Sequence, residues 1–251
     1  MKKIIWGIVA GLLVLAVIAL IVVAVFLDGI VKKGVETVGP KITGVSVKLD
    51  EMHIGLLTGS ASIKGLVVGN PEGYKAPAAI SVGLAEVSVS PLSIMSDKIV
   101  VRSIHVESPE ITFEGGLSEN NLGKIMDNID TVSRNGGPAP AAAKPGGSPK
   151  PAKKIEVDDL FITGAKVHVS LTMLGGKEMT LSLPEIHLKN LGRSNAGLTA
   201  TDLTRAVFQS ITSATIKAVA DAAANVGGDV KNLGGAGVKK LKSGLGGLFG
   251  K

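Results

Sequence analysis

Cysteine is absent from this chain of 251 residues, and aromatic side chains make up only 3% of it. Without cysteine there is no disulfide bond, no thiolate metal site and no cysteine nucleophile. Proteins that bind single-stranded nucleic acid stack its bases on aromatic side chains. One Trp, one Tyr and five Phe offer few such platforms, so we expect no nucleic-acid partner.

Recognisable catalytic motifs are missing as well. The four histidines, His53, His105, His168 and His187, stand singly in strand-like sequence, without a second ligand at metal-binding spacing. No GxSxG motif occurs, and the glycine-rich runs do not fit the phosphate-binding templates. The sequence therefore predicts a protein that is not an enzyme and that uses no metal or cofactor.

The net charge of +6 could indicate an acidic partner. Much of the excess lies in two stretches, residues 144–154 and the C-terminal tail. A basic linker and a basic tail explain the charge without a polyanion-binding face, and we prefer that explanation.

A long apolar run, "IIWGIVAGLLVLAVIALIVVAVFL", begins close to the N-terminus and contains no charged residue. As a helix it would be about 36 Å long, enough to span a hydrocarbon core of roughly 30 Å. A cleaved signal peptide is the alternative, but its apolar region is usually shorter and ends at a small-x-small site, which is missing before Asp28. We predict a transmembrane anchor in residues 1–27, with these membrane-facing positions: Ile4, Trp6, Leu13, Leu20, Phe26 and Leu27.

Strand-like alternation dominates residues 28–133, after a short helical extension that Pro40 and two glycines are expected to end. The apolar positions change parity between Leu84 and Val87, which predicts a bulge or corner at Ala85–Glu86. In "KIVVRSIHVESPEITFE" they change from odd to even numbers and back again, so the strands should be short, kinked and antiparallel. The candidate apolar face, for a lipid or for a core, consists of Val45, Val47, Leu49, Ile80, Val82, Leu84, Ile104, Val106, Ile111 and Phe113.

A short helix interrupts the strands at "LSENNLGKIMDNID", with Ser118 or Asn120 as its N-cap. Its apolar stripe consists of Leu122, Ile125, Met126 and Ile129. Residues 134–154 are rich in Pro, Gly and Lys and are expected to form a disordered linker. Strands resume in residues 155–192 and complete the sheet, with a hairpin at Gly175–Gly176.

Residues 198–251 form an amphipathic C-terminal helix followed by a basic, Gly-rich tail. Thr201 is the expected N-cap of the helix, and its apolar stripe consists of Leu203, Val207, Ile211, Ala214, Ala218 and Ala222. The tail is expected to pack on the sheet or to contact an anionic bilayer surface. Its contact residues would be Leu241, Leu245, Leu248 and Phe249.

The segments "LVVGNPEGYKAP", "VSVSPLS" and "KIVVRSIHVESPEITFE" lie between Lys41 and Glu114, and "IEVDDLFITGAKVHV" follows later. Together they resemble the N-terminal portion of AsmA-like proteins of the bacterial envelope. The resemblance implies an inner-membrane anchor, a β-rich body in the periplasm and an apolar groove that carries phospholipid between membranes. This chain is short for that task, because eight to ten strands cover only roughly 40–50 Å.

The fold class expected from these features is mainly β with α: a transmembrane helix, a curved antiparallel sheet and a C-terminal amphipathic helix. The preferred function is binding or moving phospholipid from a single-pass, inner-membrane position with the body in the periplasm. A structural or assembly factor that binds envelope proteins through its strand edges is the alternative. An anchored β-sandwich of the late-embryogenesis type is a third possibility, and the oligomeric state stays open.

Overall fold

The computed structural model describes residues 27–55, 58–136, 153–170, 178–193 and 197–226. Within these ranges nine strands form one sheet, accompanied by three helices. The strands are β1 (Val47–Gly55), β2 (Ser60–Gly69), β3 (Ala78–Val89), β4 (Lys98–Glu107), β5 (Glu110–Glu114), β6 (Lys154–Thr163), β7 (Lys166–Ser170), β8 (Glu178–Ser182) and β9 (Ile186–Leu191). The helices are α1 (residues 27–43), α2 (Asn121–Arg134) and α3 (Ala200–Val226), and a 3-10 turn covers Pro91–Met95.

The sheet is curved, does not close, and is six strand positions wide. β1, β2 and β3 are neighbours, and the far side of β3 is shared end to end by β4 and β5. β6 and β7 continue that pair, and β9 and β8 form the last position. The antiparallel prediction is wrong at one place: β4 pairs with β6, and β5 with β7, in parallel. The chain returns to the same end of the sheet through α2, and such a crossover makes a parallel pair possible.

A crease crosses all six strand positions. Extending the paired registers over the interruption places one residue of each position on this line: Asp50, Gly65, Gly83, Ser108, Gly164 and Pro184. At this line successive inward side chains of a strand are three positions apart instead of two, as with Val82 and Ala85. The first parity change therefore falls at Gly83, not at Ala85–Glu86.

A second crease lies nearer the start of β4. Arg102 and Asp158 are missing from the β4–β6 register, and Asn190 stands opposite Asp158 with a φ of 55°. The two parity changes expected within "KIVVRSIHVESPEITFE" are confirmed, because the two creases separate Val101 from Ile104 and Val106 from Pro109. The creases bend the sheet without adding a residue to most of its strands.

Helix α1 runs antiparallel to β1 along the edge of the sheet. Asp28 accepts a hydrogen bond from Ile54 N–H at 2.9 Å, near the end of β1. Glu36 accepts one from Leu49 N–H at 3.2 Å, near its start. These residues satisfy backbone groups that an edge strand otherwise leaves unpaired. We call the end of the sheet at which α1 begins and β1 finishes the lower end.

Helix α1 ends at the last glycine of the segment expected to end it, and Pro40 lies inside its last turn. The helix ends at Gly44, which has a φ of 72° and donates its N–H to Pro40 O at 2.9 Å. A left-handed residue of this kind closes many helices, and glycine adopts it without strain. At Pro40 only one intrahelical bond is lost, because the ring lacks an N–H.

Helices α2 and α3 pack on one face of the sheet. The N-cap of α2 is Asn120, whose side chain accepts from Gly123 N–H at 2.8 Å. Three residues of the expected stripe, Leu122, Ile125 and Ile129, are buried, whereas Met126 is half-buried. The N-cap of α3 is Thr199, not Thr201: its hydroxyl accepts from Asp202 N–H at 3.0 Å, and the Asp202 carboxylate accepts from the Thr199 hydroxyl at 2.6 Å. Thr201 is buried instead, 2% exposed.

No helix within the described ranges is long and apolar enough to cross a membrane. Of the predicted anchor only Leu27 is described, as the first described residue of α1. Most of the linker, the Gly175–Gly176 turn and the tail also lie outside these ranges, although β7 and β8 do pair as an antiparallel hairpin. The strands on both sides of the linker belong to one sheet.

Candidate functional site

The face of the sheet that α2 and α3 contact is apolar from edge to edge. Its residues lie in rows of cross-strand partners, one row below the next. The three rows between the first crease and the lower end are Met52, Ile63, Ala85, Val106, Ile162 and Ile186; then Ile54, Ala61, Val87, Ile104, Leu160 and Leu188; then Val89, Val101, Val157 and Leu191. No polar side chain interrupts any of these rows.

The upper part of this face is a closed core. Ile111 and Phe113 of β5 are fully buried, as are Ile125 and Ile129 of α2, which pack in the same cluster. Ile80 and Val82 are also buried, at 6% and 7% exposed. The four predicted face residues on the strands here therefore contact the protein itself and leave no room for a ligand. They are Ile80, Val82, Ile111 and Phe113.

The lower part of the face is only half covered. Leu160 and Ile162 in β6 are buried, whereas, except for the buried Ala85 and Val101, the row residues on β1 to β4 are half-buried. We call the latter group the open strip: Ile54, Ile63, Val87, Val89, Ile104 and Val106. Two predicted face residues, Ile104 and Val106, belong to it. The upper part of the face is therefore a core, and the lower part keeps apolar side chains partly exposed.

The remaining predicted face residues do not belong to the open strip, although Val47 and Leu49 continue the upper part of the same face opposite Val68 and Leu66. Val45 joins the core cluster, and Val47 and Leu49 are buried at 7% and 2% exposed. A Cβ on Gly39 of α1 would be 2.9 Å from Val47 Cβ, so the helix backbone sits directly on that residue. Leu84 is half-buried and does not belong to the core cluster, because the crease at Gly83 gives its inward place to Ala85.

The opposite face of the sheet is polar. His105, Phe161 and His187 stack there across β4, β6 and β9, with ring centroids 4.8 Å and 4.0 Å apart. His187 Nε2 lies 2.7 Å from Asp159 Oδ1. His105 and His168 are exposed, as expected for the solvated side of a strand. Within the described residues no group of three or more potential metal ligands occurs.

A partly buried ion pair lies at the lower end of the polar face. The Lys98 ammonium donates to the Glu156 carboxylate, and Arg193 Nε lies 3.7 Å from the other carboxylate oxygen. Glu156 is only 8% exposed. The hydrogen bond from Lys98 holds the pKa of Glu156 below its ordinary value, although burial opposes this shift. The carboxylate therefore joins β6 to β4 as a charged group.

The polar residues of "LVVGNPEGYKAP" tie the upper end together. Glu114, at the end of β5, accepts hydrogen bonds from Lys75 N–H at 2.7 Å and Ala76 N–H at 3.0 Å. Asn121 is fully buried and donates to Asn70 Oδ1 at 2.8 Å and to Thr112 O at 2.7 Å. This network fixes the turn against α2, so we assign these residues a structural role.

Sequence reasoning missed the alignment that makes the open strip. The signal was present, because each strand position carries inward apolar residues three apart at the first crease, such as Ile63 and Leu66 in β2. Reading that spacing in all strands together would have placed the crease. The partial cover by α2 and α3 has no comparable signal, since it depends on how the helices dock.

No family model matches the chain, and neither does any curated protein or solved structure. The likeness to AsmA-like proteins therefore stays a prediction based on the quoted motifs. The function has to be argued from the apolar face and from its position in the molecule.

Proposed function

We propose that this chain is a membrane-anchored, non-enzymatic protein of the bacterial envelope that binds or helps move phospholipid. The open strip would take an acyl chain. The observation that supports this most is the set of three lower rows, which are apolar across the sheet and, apart from the buried Ala85 and Val101, only half covered on β1 to β4.

The chemistry of an acyl chain suits such a surface. Removing apolar surface from water gains about 25 cal/mol per Å², or about 0.8 kcal/mol for each buried CH₂ group. Several methylenes lying on the strip would therefore provide useful affinity without a polar contact. The four strand positions from β1 to β4 are about 14 Å wide, enough for a hydrocarbon chain to lie between their outer side chains.

The place of the strip relative to the proposed anchor supports the same function. The strip continues to the lower end of the sheet, and α1 begins at that end directly after the apolar run. A lipid leaving the bilayer beside the anchor would reach the strip first. We place the body in the periplasm, next to the inner membrane, as the resemblance to AsmA-like proteins implies.

The width of the sheet limits what one chain does. Six strand positions cover about 24 Å, which is less than the thickness of a bilayer with its headgroups. We therefore propose local capture or hand-over of lipid by a single chain, without a bridge between two membranes.

Site-specific photo-crosslinking tests the proposal in the full-length, membrane-inserted chain. A photoreactive benzoylphenylalanine at position 104 should give a phospholipid adduct detectable by mass spectrometry. The same group at position 105, the next residue and on the polar face, should give little. Val87→Lys should abolish the adduct at position 104, because Val87 is the cross-strand partner of Ile104. Leu84→Lys, on the opposite face of the sheet, is the matched control and should preserve it. Equal adducts at both positions, or none at 104, would refute lipid binding at the strip.

The assembly-factor alternative is favoured by the other edge of the sheet. β9 pairs with β6 on one side, and within the described residues no strand covers its other side. An open edge of this kind can accept a strand from another protein. In that case a photoreactive group replacing Lys189 on β9 would give protein adducts, while position 104 would give no lipid adduct.

A further inference from the structure

The 3-10 turn between β3 and β4 carries the two most exposed large apolar side chains of the described residues. Leu92 is 88% exposed and Met95 is 93% exposed. Side chains of this kind are normally turned inward when a loop allows it, and two on one short turn form a small apolar tip. Neither residue contributes to the core cluster.

The turn holds these side chains outward on a fixed backbone. Val100 N–H donates to the Ser93 hydroxyl at 2.9 Å, and that hydroxyl donates to Ser90 O at 2.7 Å. The Ser96 hydroxyl lies 2.6 Å from Lys98 O. The Ser93 and Ser96 hydroxyls therefore hydrogen-bond backbone groups of the turn, and Leu92 and Met95 are left facing solvent.

The tip lies at the lower end of the sheet, where α1 begins. Val89 N–H donates to Gly59 O at 2.6 Å, so the end of β3 meets the turn between β1 and β2. The end of β1 in turn binds Asp28 of α1. Two strand spacings, about 10 Å, therefore separate the end of β1 that α1 contacts from the end of β3 that leads into the tip. Ile30 of α1 is also exposed, at 59%.

Cations stand at the base of the tip. The Lys153 ammonium donates to Ile94 O, and Arg102 donates to Val89 O at 3.1 Å. Asp97 is an exposed acid beside them. Lysine and arginine next to a membrane are attracted by anionic headgroups, while apolar side chains enter the boundary between headgroups and acyl chains.

We infer that this turn is a second membrane contact: Leu92 and Met95 insert into the bilayer that holds the anchor, and the inference rests on the anchor in the proposed function. The chain would then touch the membrane at two points of one end. Its open strip would be held facing along the bilayer surface instead of turning freely about the anchor. The occupant is an anionic phospholipid bilayer.

Fluorescence quenching in vesicles tests this inference, and the absence of cysteine makes single labels simple. The full chain carrying Leu92→Cys or Met95→Cys is labelled with an environment-sensitive dye and reconstituted into vesicles of phosphatidylethanolamine and phosphatidylglycerol. A fraction of the lipid carries a nitroxide in its acyl chain. Glu72→Cys, in the exposed turn at the upper end, is the control. The dyes at 92 and 95 should be blue-shifted and quenched severalfold more than the dye at 72.

The outcomes separate the inference from the proposed anchor. Vesicles that float with the protein while the dyes at 92 and 95 are quenched no more than the dye at 72 would overturn the second contact alone. A blue shift without quenching would mean that the tip is buried against another protein, such as a second copy, and would also overturn it. A chain that does not float with the vesicles would overturn the anchor and the second contact together.

Discussion

At the scale of single residues, two buried hydroxyls stand out on α3. Within the described residues Thr212 Oγ1 and Thr215 Oγ1 have no hydrogen-bond partner, and Thr215 is fully buried. A buried polar group without a partner destabilises a folded protein by about 1–3 kcal/mol. We expect Thr215→Val to raise the free energy of unfolding by about 1 kcal/mol, because it replaces the hydroxyl with a methyl group of similar size.

Denaturant unfolding of the full chain in detergent measures this change. Thr204→Val on the same helix is the matched control, because its hydroxyl donates to Ala200 O at 2.8 Å. Thr204→Val should lower the free energy of unfolding by less than about 0.5 kcal/mol or leave it unchanged. If Thr215→Val destabilises the chain more than Thr204→Val does, the Thr215 hydroxyl has a partner that stabilises the fold.

A second prediction at this scale concerns Glu156 and acid. Its pKa in the folded state lies below its ordinary value of 4.5, mainly because Lys98 donates to it. A carboxyl with a lowered pKa stabilises the fold above its unfolded pKa, and this contribution is lost as the pH falls through the folded pKa. Asp202, whose pKa the Thr199 hydroxyl lowers, acts in the same direction. Stability should therefore decline below about pH 4.5.

Glu156→Gln should flatten that decline, because it removes up to about one proton taken up on unfolding. Urea unfolding midpoints of the full chain between about pH 3 and pH 6 measure the slope. Glu72→Gln, at an exposed turn residue, is the control and should reproduce the wild-type slope. A Glu156→Gln slope equal to that of the wild type would mean that the Lys98 ion pair does not favour the charged carboxylate.

At the scale of the elements, the first crease is the feature most open to test. Gly65 has a φ of 64°, and a Cβ there would clash with the Asp50 carboxylate. Gly83 stands opposite in β3, and a Cβ there would meet nothing within 4 Å. We expect Gly65→Ala to lower the free energy of unfolding by about 1–3 kcal/mol, and Gly83→Ala to leave it unchanged or raise it slightly. Thermal unfolding of both variants tests this expectation. Similar midpoint temperatures for the two variants would show that the crease does not require a left-handed residue at position 65.

The same elements show how far sequence patterns reach. Periodicity located α2, its cap and its buried stripe, since local hydrogen bonds and one apolar face determine all three. It located α3 but set the inward face about one position too early: Phe208, Thr215 and Val219 are buried, whereas Val207, Ala214 and Ala218 are only half-buried. Small apolar residues fit either side of a helix, so only docking on the sheet decides between them.

At the scale of the whole molecule, the sequence predicted one curved sheet with an apolar face. It did not predict which part of that face and of the sheet edge the helices cover. α1 covers the β1 edge through Asp28, Lys32 and Glu36, residues spaced four apart that would be expected to face water. Their partners are backbone groups of β1, which carry no sequence signal. Parallel pairing of β4 with β6 was missed for a related reason, because it depends on the path through α2 and not on the strands.

The difference between the closed and open parts of the apolar face gives the last prediction. Val87 and Val167 point to the same face, but Val87 is half-buried and Val167 is fully buried. A lysine at 87 can lay its methylenes over the open strip and keep its ammonium in water, so Val87→Lys should lower the free energy of unfolding by only about 1 kcal/mol. A lysine at 167 would bury a charge without a partner, and Val167→Lys should prevent folding. Protease resistance of the two full-length variants in detergent measures the contrast. If both are degraded equally fast, the lower rows are closed as tightly as the upper ones, and a lipid has no place there.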